Sequence, residues 1–110
     1  MRTKFIIIAL ISLLIMSCLS DIAVKRRKAF IRIYPGISEY WKHAIARGDI
    51  VAGMTKEAVL ASIGKPLKIN RSVDTRGIFE QWVYPKSERQ IREYAYVYFN
   101  NEKLITWQYF

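Results

Sequence analysis

The sequence predicts an α+β fold: two N-terminal helices packed on an antiparallel meander sheet of three or four strands. Two stretches, at 38–47 and 55–63, carry apolar residues at helical spacing between a hydroxyl-bearing cap and a terminal glycine. After Pro66 the pattern changes to short extended runs rich in Tyr, Trp and Phe, separated by turn residues. The chain has 110 residues, and an N-terminal targeting segment reduces the folded part to about 90, enough for one small core and too little for two.

Residues 1–17 have the three parts of an export signal. Arg2 and Lys4 make a positive start, residues 5–16 are apolar, and small or polar residues follow. The run ends Ile15-Met16-Ser17-Cys18, which resembles the lipobox of bacterial lipoproteins. That resemblance implies diacylglyceryl transfer to Cys18, cleavage after Ser17 and acylation of the new terminus by a fatty acid such as palmitate. Leu19 stands where an Asp would favour retention in the inner membrane, so the same resemblance implies delivery to the outer membrane, with the domain facing the periplasm and the inner membrane as the alternative. An uncleaved anchor is the competing reading. A helix over residues 5–19 spans roughly 22 Å, short of the ~30 Å hydrocarbon core. The basic cluster Lys25, Arg26, Arg27 and Lys28 follows closely, however, and such clusters prefer the cytoplasmic side. Residues 18–36 read as the lipidated cysteine and a basic tether, with the tetrad either beside anionic lipid or merely solvated. Within it, residues 29–34 alternate partly and stop at Pro35-Gly36.

The folded domain is expected over residues 37–110. Ser38 caps a first helix whose apolar positions are Tyr40, Trp41, Ala44 and Ile45, and Gly48 ends it. Thr55 caps the second, Glu57 favours its positive start, and Gly64 and Pro66 stop it. Its stripe is Val59, Leu60 and Ile63, preceded by Met54. About eight residues of helix do not hold alone, so this one must lie across the strands downstream.

Those strands are expected at 67–73, 78–84, 93–99 and 103–109, with a turn at 74–77 and a charged loop at 85–92. If the last hairpin has an even loop, Phe99 faces Leu104, Tyr98 faces Ile105 and Tyr96 faces Trp107. One face then carries Tyr94, Tyr96, Tyr98, Ile105, Trp107 and Tyr109, and its five aromatic residues are a candidate partner-binding surface. Two helices cover only one side of such a sheet. The other is an exposed aromatic patch, or is covered by the N-terminal segment or by another protein.

Net charge is +9, and setting aside Arg2 and Lys4 leaves 16 basic against 9 acidic residues, a balance compatible with anionic lipid, acidic partners or nucleic acid. The single cysteine excludes an intramolecular disulfide and a cysteine-rich metal site. His43 is the only histidine and reads as a surface residue. No phosphate-cradling loop, metal-ligand spacing or nucleophile–base pairing is visible, and Glu80, Glu88 and Glu93 read as scattered surface charges. The expectation is a non-enzyme without cofactor, metal or small-molecule substrate.

GMTKEAVLASIGKP at 53–66, EQWVY at 80–84 and YVYFNNEKLITWQ at 96–108 together resemble the SmpA/OmlA (BamE-like) domain of bacterial envelope lipoproteins. The resemblance covers about residues 45–109. It implies two helices on a three-stranded antiparallel sheet, a layout shared with secreted β-lactamase inhibitory proteins, and supports lipidation at Cys18. It implies a non-catalytic protein-binding or scaffold module among envelope proteins, including outer-membrane assembly components, with no nucleic acid bound. Two alternatives stand beside it: an inhibitor-like module on a periplasmic enzyme, and an uncleaved, membrane-anchored protein with a cytoplasmic basic domain.

Overall fold

The computed structural model describes residues 22–86 and 93–110. Residues 22–33 are helical (α1), followed by α2 (Glu39–Arg47) and α3 (Lys56–Ile63). Four strands complete the chain: β1 (Lys68–Asp74), β2 (Gly77–Val83), β3 (Tyr94–Asn100) and β4 (Lys103–Tyr109). They form one sheet in the order β1-β2-β3-β4, antiparallel throughout. The α+β class stands, with four strands and with three helices where two were expected.

The added helix occupies residues 22–33 of the stretch, 18–36, expected as a basic tether. Local alternation in AFIRIY concealed it, because its buried face is completed by the Arg26 and Arg27 stems together with Phe30 and Ile31, which pack against the core. Pro35-Gly36 then stops it, with the Tyr34 N–H closing on the Phe30 carbonyl at 3.0 Å. The expected Cys18 lipidation and the signal segment 1–17 lie outside the described residues.

Both capped helices form where their signals place them. The Ser38 hydroxyl accepts from the Trp41 N–H and Thr55 from the Ala58 N–H, each at 3.2 Å. Gly48, at φ 78°, ends α2 in the left-handed conformation, and Asp49 N–H returns to the Ala44 carbonyl. Two details differ. Tyr40 is exposed rather than part of the buried stripe of α2. In α3 the fully buried residues are Ala58, Val59, Ala61 and Ser62, while Leu60 and Ile63 are half-buried at its margins. α3 has neighbours on several sides, so small residues, rather than a single aliphatic stripe, fill its closest approaches.

One core joins Ile45 of α2, Met54 before α3, and Val59 of α3 to Trp82, Val97, Phe99 and Leu104 of the sheet. Helix α3 therefore lies across the strands. The Trp82 and Phe99 rings pack at 4.5 Å between centroids.

The last hairpin departs from its expected register by one residue. Asn101 and Glu102 both adopt positive φ, 49° and 75°, as a tight two-residue turn requires, and Phe99 pairs with Leu104 as expected. A bulge at Ile105 then sets Tyr98 opposite Thr106, Val97 opposite Trp107 and Tyr96 opposite Gln108. The cause lies outside the hairpin. Residues 53–55 pair with the start of β4, Gly53 donating to the Leu104 carbonyl at 2.7 Å and Leu104 to that of Met54 at 2.9 Å. This fixes Leu104 in the core, and the bulge turns Trp107 inward as well.

Candidate interaction surfaces

The sheet's two faces differ sharply in chemistry. Along β2 and β3 the buried residues Glu80, Trp82, Ala95, Val97 and Phe99 alternate with residues facing away from the helices. On that outer face a row of polar side chains crosses all four strands. Asn70 Nδ2 donates to Gln81 Oε1 at 3.0 Å, Gln81 Nε2 to the Tyr98 hydroxyl at 3.3 Å, and that hydroxyl to Gln108 Oε1 at 3.3 Å. The row bounds an open concavity of about 480 Å³ lined also by Ser72, Phe79, Ile105 and Thr106. Such a surface combines apolar contact area from Phe79, Ile105 and the Tyr98 ring with hydrogen-bonding groups already fixed in place.

The five aromatic residues expected on one partner-binding face are divided by the bulge at Ile105 and by a second irregularity between Tyr94 and Tyr96. Tyr96 and Tyr98 remain on the outer face, their ring centroids 6.5 Å apart. Tyr94 and Trp107 pack against the core instead, and Tyr109, itself exposed, lies against Tyr94 with ring centroids 5.0 Å apart. Burial, with a hydrogen bond to Tyr109, pushes the Tyr94 hydroxyl well above the usual phenol range. Asn70, Gln81 and Gln108 were missed by sequence reasoning; their signal was alternation with Ile69, Trp82 and Trp107, which places them on the opposite face.

The basic tetrad is divided too. Arg26 Nε donates to the Ala61 carbonyl and Arg27 Nε to the Ser62 carbonyl, both at 2.9 Å, satisfying acceptors that the last turn of α3 leaves open. Burial, then the neighbouring Arg26 charge, lowers the Arg27 pKa against the opposing pull of Asp49. Lys25 and Lys28 point to solvent.

Glu80 corrects the reading of scattered surface acids, and Glu93 is buried as well. The Glu80 carboxylate takes hydrogen bonds from Lys56 and, at 3.0 Å, from the Trp82 indole N–H, with Arg71 at 3.8 Å. Burial alone would raise its pKa; the bonds from Lys56 and Trp82 and the nearby cations outweigh that and hold it below the usual carboxylate range. Lys56 also reaches Glu102 at 3.0 Å, so the group ties α3 to β2 and to the last turn. The signal was present in the sequence: Glu80 shares the period-two face of Trp82 and Tyr84.

Among the described residues, no group of three or more His, Cys, Asp or Glu is placed to hold a metal ion. No described helix is long and apolar enough to cross a membrane. His43 is exposed on α2. The chain matches no protein-family model, no curated protein and no solved structure. What the fold defines is a class, a three-helix layer on one face of a four-stranded antiparallel meander.

Proposed function

We propose that this chain is a membrane-attached, non-catalytic binding module of the bacterial envelope that docks a partner protein on the outer face of its sheet. Its work is recruitment within outer-membrane assembly or envelope integrity, as the SmpA/OmlA-like motifs suggest. Attachment at Cys18, facing the periplasm, confines the domain to a surface and raises its effective concentration toward partners there. The observation that carries the reading is the hydrogen-bonded row Asn70–Gln81–Tyr98–Gln108 beside the Phe79 and Ile105 concavity, on a face that the three helices leave uncovered.

Site-specific photo-crosslinking in intact cells tests it. A photoreactive residue at Tyr96 or Ile105 should capture an outer-membrane protein, whereas the same residue at His43 should not. Capture of a soluble hydrolase would favour the inhibitor-like alternative, and equal capture from His43 would refute the assignment of the face. Mass spectrometry of the mature terminus, with a Cys18→Ser control, tests the attachment separately: an unprocessed start at Met1 would refute lipidation.

A further inference from the structure

We infer that α1 is an electrostatic foot that seats the domain on an acidic phospholipid bilayer through Lys25, Lys28 and Arg32. The inference deepens the membrane-attached reading and rests on it. Residues 22–33 hold five basic side chains and no acidic one. The helix divides them. Arg26 and Arg27 turn inward with Phe30, while Lys25, Lys28 and Arg32 are exposed. At 3.6 residues per turn these three fall within an arc of roughly 60°, opposite the docked side. One face is occupied by protein and the other is uniformly cationic.

None of the three makes a hydrogen bond or ion pair with another described residue. Several cations elsewhere have an acid close by, although Lys65, Lys68 and Lys103 stand alone among the described residues. Lys42 meets Glu39 at 3.1 Å, Arg47 meets Asp49 at 3.2 Å and Arg76 meets Asp74 at 2.8 Å. Among the described residues the stripe on α1 is thus a row of charge without a paired acid, and of the described elements α1 follows the apolar segment most closely in sequence. Five residues, and so six Cα–Cα steps, connect Met16 to Ile22, a reach of at most about 20 Å. A bilayer holding residues 5–16, or an acyl chain on Cys18, brings its headgroups within that distance. The first turn of α1 also exposes Ile22 and Val24, the apolar complement that an interfacial helix needs.

The clasp gives the contact its consequence. Arg26 and Arg27 fasten α1 to the end of α3, so lipid held by the outward stripe orients the whole domain instead of a loose tether. Each cation near an anionic surface favours that orientation by about fivefold.

The test uses the full chain reconstituted into nanodiscs of phosphatidylcholine, with or without roughly one third phosphatidylglycerol to supply the anionic surface. Amine-reactive labelling, read by mass spectrometry, reports Lys25, Lys28 and, as reference, Lys103. Labelling of Lys25 and Lys28 should fall about fivefold in the acidic discs. It should recover near 1 M salt, where the screening length is about 3 Å, and Lys103 should not change. Equal labelling in both discs, or protection that salt leaves intact, overturns the inference while the membrane-attached reading survives. Protection by added duplex DNA in neutral discs, without protection by acidic lipid, overturns it in favour of nucleic acid. A chain that does not co-purify with either disc overturns both this inference and the attachment it rests on.

Discussion

The indole N–H of Trp82 donates to the carboxylate of Glu80, two residues earlier on the same face of β2, at 3.0 Å. Lys56 approaches that carboxylate from α3, so one buried acid links the central helix to the sheet beneath it. Replacing Glu80 by Leu removes the acceptor of both donors and leaves Lys56 largely buried with only Glu102. The expected loss is about 2–4 kcal/mol, at the lower side of a broken buried pair because Glu102 remains. Urea unfolding of Glu80→Leu against the parent measures it, and Lys56→Met in the same background should recover part of the loss.

The same group gives the domain an acid limit. Glu80 is held below its unfolded value, so its contribution is present above the ordinary carboxylate pKa of about 4.3 and is lost as pH falls through the lower folded value. Lys56 is raised, since its bonds to Glu80 and Glu102 outweigh the cost of burial. Its contribution is present below about 10.4 and is lost as pH rises through the higher folded value. Thermal melts between these limits should therefore show a plateau, and Glu80→Leu should flatten the acid side.

Within the basic tetrad, stability should depend on Arg26 and Arg27 alone. Arg26→Ala removes two charge-assisted bonds to the carbonyls of Ala61 and Ser62, an expected cost of about 1–2 kcal/mol. Lys25→Ala touches nothing in the fold and should stay within about 0.5 kcal/mol of the parent. Chemical denaturation of the two variants side by side makes the comparison.

Gly48 is a point of contact as well as a cap. Its φ of 78° disfavours any side chain, and a Cβ there would press on the Arg27 guanidinium. Gly48→Ala should cost about 1–3 kcal/mol. In an Arg27→Ala background the steric share disappears and only the backbone share remains. A double-mutant cycle by urea unfolding reads that difference as coupling.

The bulge at Ile105 separates two kinds of aromatic residue that the sequence presents alike. Trp107→Ala should destabilise by about 2–4 kcal/mol because that ring packs on the core. Tyr96→Ala, on the outer face, should cost less than about 1 kcal/mol. The reverse order in thermal melts would contradict the register of β4.

What the sequence made legible was local. Ser38, Thr55, Gly48 and Gly64 specify the ends of α2 and α3 within a few residues of themselves, and turn residues bound each strand to within one position. What it concealed depends on distant partners. α1 shows its helical face only when Arg26 and Arg27 are counted as buried, and their acceptors lie about 35 residues downstream at Ala61 and Ser62. Loop parity predicted the Phe99–Leu104 pair, but the bulge after it depends on Gly53 and Met54, which no pattern within the hairpin contains. The outer surface was half legible. Its tyrosines drew attention as aromatics, whereas Asn70, Gln81 and Gln108 resembled ordinary solvent-facing residues until their common row became visible.

Asn101 occupies the space that a side chain at Gly77 would fill, and its Oδ1 accepts from the Ile78 N–H at 2.9 Å. The turn of the second hairpin is thereby stapled to the first, and the sheet's curvature is settled before any other molecule arrives. Association on the outer face would then require little fresh ordering of backbone, so selectivity there should lie in how quickly complexes come apart rather than in how the strands rearrange to meet them.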